Sequence, residues 1–217
     1  MIPMFQKQIV LSFIGAGLAG AALYALALRP WFLGWGATAA ERSSSLPGDL
    51  VVPQANSTAT RSITIQAPPE RVWPWIVQIG QGRGGFYSYA WLENLVGCEI
   101  VNAETIHPEW QDLKPGDALR LHPKMPGMPV TTVEKNRALV VGGKGSPEQH
   151  LPSVSWAFVL EPASGNATRL LIRWRSHTGS SVRDLVFNKY LLEPIHFTME
   201  RKMMLGIRER VQRRPKG

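Results

Sequence analysis

Ser153-Val154-Ser155-Trp156-Ala157-Phe158-Val159-Leu160-Glu161, the turn-forming Pro162-Ala163-Ser164-Gly165-Asn166, and then Thr168-Arg169-Leu170-Leu171-Ile172-Arg173-Trp174-Arg175-Ser176 decide how this chain is read. Two runs rich in β-branched and aromatic residues, joined by Pro, Gly and Asn, predict an antiparallel hairpin. In the second run Leu170, Ile172 and Trp174 fall on one face, and Arg169, Leu171, Arg173 and Arg175 on the other. One face is therefore dry and the other largely wet, as in an antiparallel sheet covered on a single side.

Working outward, Val130 to Lys135 and Ala138 to Gly143 predict a second hairpin around Asn136-Arg137, and Lys114-Pro115-Gly116-Asp117 is a turn that introduces a strand over Ala118 to His122. Arg61-Ser62-Ile63-Thr64-Ile65-Gln66 alternates and predicts a first strand, with Ile63 and Ile65 pointing one way. Pro68-Pro69-Glu70 opens a helix with an apolar stripe of Val72, Trp73, Ile76 and Val77, which Pro74 is expected to kink. A shorter helix spans Tyr87 to Val96, and Ser181 to Arg213 is helical with an interruption near Pro194. That last helix is the one element long enough to cover the dry face. The expected class is α+β: a curved antiparallel sheet wrapped on a long C-terminal helix.

This order, on these residues, resembles the START-like or SRPBCC superfamily, whose helix-grip fold includes polyketide cyclase/dehydrase-like proteins. Ile63 to Trp73, Trp156 to Pro162, Thr168 to Arg173 and the terminal helix carry the resemblance, over roughly residues 60 to 212. Gly82 to Ser88 and Leu113 to Asp117 look like one bacterial branch of that superfamily. The resemblance implies a deep apolar cavity between sheet and helix. It carries no shared catalytic residues and no cofactor.

Residues Ile9 to Leu28 hold no charge, and as a helix reach roughly 30 Å, the hydrocarbon thickness of a bilayer. Lys7 and Arg29 close the run, and Trp31 and Trp35 follow at the expected membrane border. An N-terminal transmembrane helix is expected, with a cleaved signal at Ala37-Thr38-Ala39 and a buried core helix as the alternatives. The division is then an anchor over residues 1–36, a linker rich in Ser, Gly, Pro and Ala over 37–60, a START-like domain over 61–213 and a basic tail over 214–217. The flanking charges barely orient the single pass, with a slight lean to a cytoplasmic domain. Cys98, the single cysteine, excludes an intramolecular disulfide. The oligomeric state is not legible.

The net charge of +8 and the sequence pI near 10.0 gather at the C-terminal end, where Arg201, Lys202, Arg208, Arg210, Arg213, Arg214 and Lys216 suit anionic headgroups or a solvated helix face rather than nucleic acid. Gly80-Gln81-Gly82-Arg83-Gly84-Gly85 has dinucleotide spacing but follows a helix, so a tight turn is expected instead. Glu104-x-x-His107 and Glu193-x-x-His196 have metal-ligand spacing without the helical bundle such chemistry needs, and the pair His196 and Glu200 is expected as a hydrogen bond on a helix surface, so no metal is expected. His122 and His177 are the histidines placed to face a cavity.

The residues expected to line the cavity are Tyr87, Trp91, His122, Trp156, Phe158, Trp174 and His196, because indole, phenol and imidazole groups pack a ring while bonding a polar tip. Three functions stay open. The first is a membrane-anchored, non-catalytic module for a hydrophobic small molecule or lipid. The second is a cyclase, dehydratase or hydrolase using a cavity His or Tyr as acid or base. The third is a structural or partner-binding role at the membrane.

Overall fold

A computed structural model describes residues 15, 19–146, 152–179 and 181–213. A π-helical turn at Tyr24–Leu28 leads into α1 (Arg29–Leu33), followed by α2 (Ala39–Ser43), β1 (Ser57–Ile65), α3 (Pro69–Val77) and α4 (Ala90–Leu95). Then come β2 (Ala118–Leu119), β3 (Met128–Glu134), β4 (Ala138–Gly143), β5 (Ser153–Ala163) and β6 (Ala167–His177). The chain closes with α5 (Val182–Phe187), a second π-helical turn at Asn188–Leu192, and α6 (Glu193–Gln212). The strands form one sheet in the order β1-β6-β5-β4-β3-β2, every neighbouring pair antiparallel.

Register places the inner face. Trp156 lies opposite Trp174, Phe158 opposite Ile172 and Leu160 opposite Leu170, while β1 sets Ala59, Arg61 and Ile63 beside Trp174, Ile172 and Leu170. These side chains bury themselves against Met203, Met204, Ile207 and Val211 of α6 and Val72, Ile76 and Val77 of α3. Each such aliphatic side chain contributes about 1.5–3 kcal/mol on leaving water. α6 packs tightly on the segment between α3 and α4 at Tyr87, where a Cβ on Gly206 would collide with the Tyr87 carbonyl oxygen. Tyr87 itself has φ of 55°, a left-handed conformation that costs an ordinary side chain energy. The Asn102 side chain holds it there, its Oδ1 accepting from the amides of Phe86 at 3.1 Å and Tyr87 at 2.7 Å.

The face of β6 expected to be wet is covered. Leu46 packs on Val159 and Leu171 across that face. Arg169 is bonded to both oxygens of Glu41, at 2.6 and 2.9 Å, and Arg173 donates to Thr60 Oγ1, Asp49 Oδ2 and the carbonyls of Glu41, Arg42 and Ser44. Arg175 reaches the Val52 carbonyl. Residues 37–53, expected as a linker, thus form a belt, and its α2 is closed by a capping box between Thr38 and Glu41. β1 begins at Ser57, four residues before the expected boundary at 61. The belt starts where the Trp35 carbonyl accepts from the Ser62 amide at 3.1 Å. Gly36 is required there, with φ of 72° and no room for a Cβ beside the Ser62 carbonyl.

α3 runs through Pro74. The interruption expected near Pro194 is the π-helical turn just before it, which leaves Pro194 in the first turn of α6, where a missing N–H is tolerated. At the other end, residues 9–14 and 16–18 of the apolar run lie outside the described residues, as do Lys7 and His150. The described remainder is helical through residues 19–33, short of the roughly 20 apolar residues a span needs. Among the described residues no helix is long and apolar enough to cross a membrane.

Candidate functional site: a polar floor between two apolar hollows

The site begins with one unusual residue. Strand alternation puts Arg61 on the same face as Ile63 and Ile65, so its guanidinium enters the core and is fully buried. Its charge is met by Glu200 on α6, paired with Nη1. Nε donates to the Phe32 carbonyl at 2.8 Å, which ties α1 to the same group. The other Glu200 oxygen accepts from the Trp156 indole at 2.9 Å. A buried ion pair holds only when its remaining lone pairs and protons are so occupied.

His196 stands one turn before Glu200. Its Nδ1 accepts from Arg61 Nη1 at 3.3 Å, which places the ring proton on Nε2, 3.5 Å from Glu200 Oε1. Burial pushes the imidazole pKa down to about 4, against Glu200, which raises it, while Arg61 lowers it further. His196 is therefore neutral at pH 7.

Two hollows meet over this floor. The larger, about 360 Å³, is lined by Ala59, Arg61, Val154, Leu192 and Ile195. The smaller, about 200 Å³, is lined by Phe86, Glu93, Cys98, Leu121 and Met203. Trp174, His196 and Met199 border both. Glu93 accepts from Ser88 Oγ at 2.9 Å through Oε1, and burial raises its pKa. Its Oε2 is buried without a partner, and so is Nη2 of Arg61. A third hollow of about 640 Å³, between α3, Leu113 and the β3–β4 turn, touches none of these groups.

The structure brings three of the expected lining residues together: the Trp156 and Trp174 rings are 5.9 Å apart, and His196 lies 4.5 Å from Trp174. Phe158 packs behind Trp156 at 4.7 Å, in the core. Tyr87 is also core, its hydroxyl donating to the Trp75 carbonyl at 3.1 Å. Trp91 is 66% exposed on α4. His122 bonds the Val96 carbonyl and the Lys124 amide, and His177 the Gln54 carbonyl, away from both hollows. Sequence reasoning passed over Arg61, Glu93 and Met199, and read Glu200 as a surface residue. The alternation that assigned Ile63 and Ile65 inward was the available signal for Arg61.

The other motifs are absorbed structurally. Gly80 to Gly85 closes a tight turn through an antiparallel bridge between its end glycines. Glu193 binds Arg29 at 2.7 Å and Ser57 at 2.8 Å, and Glu104 pairs with Arg210 and Arg213. Among the described residues no cluster of three or more His, Cys, Asp or Glu side chains is arranged to hold a metal ion.

No family model matches this chain, and no curated protein matches its sequence. Among solved structures it is similar to a protein from Nitrosomonas europaea, with 14% identity and a TM-score of 0.45, over 71% of this chain and 94% of that one. It is similar to a protein from Mesorhizobium loti, with 14% identity and a TM-score of 0.41, over 71% and 96% of the two chains. The Aha1 dimer from Colwellia psychrerythraea gives 13% identity and a TM-score of 0.40, over 74% and 99%.

Proposed function

We propose that the chain is a membrane-tethered binding module of the START-like helix-grip type, which holds an apolar small molecule or lipid between its sheet and α6. The observation that carries this reading is the pair of apolar hollows sharing Trp174, His196 and Met199 beside the buried Arg61–Glu200 ion pair. The pair neutralises the two buried charges, so the walls offer ring faces and aliphatic carbon to a guest.

The tether is supported by composition and by exposure. Residues 9–28 are uncharged, and among the described residues eleven of the eighteen exposed large apolar side chains belong to two neighbouring segments, residues 23–31 and 182–195. The segments touch through the stacked rings of Tyr24 and Tyr190, 4.8 Å apart, and through the bidentate pair of Arg29 with Glu193. An apolar surface of that kind, contiguous with an uncharged stretch of sequence, suits a bilayer interface. Leu192 and Ile195 belong both to this surface and to the lining of the larger hollow, so a guest has a short path from lipid to site.

The test uses the full chain in detergent titrated with N-phenyl-1-naphthylamine. Saturable binding with energy transfer from the indoles, weakened by Trp174→Ala in an otherwise folded protein, is expected. Linear, non-saturating partition unaffected by that substitution contradicts the reading.

A further inference from the structure

Arg61 lines the larger hollow and Glu93 the smaller, and each carries one buried polar atom that the protein leaves without a partner, Nη2 of Arg61 and Oε2 of Glu93. A buried donor or acceptor left unmatched costs stability, and a matched one returns it, so such atoms mark where a guest's own polar groups are received. The charge balance around them is equally informative. Arg61 is already neutralised by Glu200, whose second oxygen is taken by Trp156. His196 accepts from Arg61 and adds no charge. Burial raises the pKa of Glu93, whose Oε1 accepts from Ser88 Oγ. Trp174, Met199, Leu192 and Ile195 complete walls with no spare charge for a counterion.

We infer that the guest is an electrically neutral lipid bearing an acceptor oxygen of the ester or ketone type, received by Arg61 Nη2, with a second oxygen bonded to Glu93 when the guest occupies the smaller hollow. A fatty-acid anion gains nothing from an arginine whose charge is already met, and buries its own charge besides. An alkylammonium likewise buries a charge that the larger hollow does not meet, since Glu193 in its lining is already paired with Arg29. A plain hydrocarbon fills the volume but leaves Nη2 unmatched.

This inference rests on the binding-module reading, and the experiment separates the two. The full chain in detergent, loaded with N-phenyl-1-naphthylamine, is competed with methyl oleate, 1-monooleoylglycerol, octadecane, oleate at pH 8 and oleylamine. The two esters are expected to displace the dye roughly tenfold more effectively than octadecane, oleate or oleylamine. Because Arg61→Met alone strands a buried carboxylate, the partner variant is Arg61→Met with Glu200→Leu, which exchanges the pair for apolar groups of similar size. That variant is expected to bind octadecane as before and to lose the ester preference. Equal displacement by esters and octadecane, stronger displacement by oleate or oleylamine, or an ester preference that survives the double substitution overturns this inference and leaves the cavity reading intact. Failure of every competitor and of the dye itself overturns both.

Discussion

Arg61 and His196 show how one strand position and one helical turn set the chemistry of the interior. Arg61 is an arginine at an inward position of an edge strand, held by groups from two helices: Phe32 on α1, and His196 and Glu200 on α6. Its placement was legible from the parity of Arg61 with Ile63 and Ile65. Its partner was not, because nothing local to β1 points to a carboxylate 139 residues away. The consequence for pH is specific. The His196 pKa falls from the ordinary 6.5 to about 4 in the fold, so between those values the unfolded chain takes up the proton and the folded chain does not. This group's contribution to stability is complete above pH 6.5 and is lost as pH falls toward 4. Urea midpoints measured from pH 7.5 to 4 are expected to decline through that window, with a shallower decline in His196→Gln. An unchanged slope in the variant contradicts the assignment.

Among the elements, the belt over residues 37–53 is the largest departure from the sequence reading. Alternation in β6 correctly separates Leu170, Ile172 and Trp174 from Arg169, Arg173 and Arg175, but it says only which face each occupies. What covers a face depends on segments far away in the chain. Here arginine supplies the cover, since its five N–H donors can bind several carbonyls at once, and a belt of irregular backbone has carbonyls free. Leu171, on the supposedly wet face, carries the apolar part of the contact with Leu46.

Arg173→Met removes donors to Thr60, Asp49 and three belt carbonyls while leaving the Asp49 carboxylate partly buried, and is expected to cost about 3–5 kcal/mol. The belt should then become the first site of limited proteolysis. A loss below about 1 kcal/mol, with the belt still protected, contradicts its described role. On the opposite face, Gly206→Ala forces α6 away from the Tyr87 carbonyl, and a loss of about 1–3 kcal/mol in chemical unfolding is expected. A neutral outcome means that α6 does not approach Tyr87 as closely as described.

At the scale of the whole molecule, the β3–β4 and β5–β6 hairpins and the long covering helix followed from periodicity, turn residues and helix length, whereas the pairing of β1 with β6 did not. The candidate site followed only in part. Trp156, Trp174 and His196 converge because β5, β6 and α6 do, whereas Tyr87, Trp91 and His122 sit on intervening segments whose path no periodic pattern specifies. Aromatic residues also suit core and cavity equally, so Phe158 and Tyr87 could be assigned to one or the other only with the fold in hand. The apolar surface of residues 23–31 and 182–195 likewise forms from two distant stretches, joined by Tyr24 with Tyr190 and by Arg29 with Glu193. On the proposed reading, tether, surface and hollows make up a cup set against lipid.

The most direct measurement of that description is native mass spectrometry of the full chain, extracted with its surrounding lipid and activated gently until detergent is shed. The account predicts a retained adduct of one neutral, oxygen-bearing lipid per chain, lost in Trp174→Ala. A chain that sheds every apolar mass at the same activation as the detergent contradicts it.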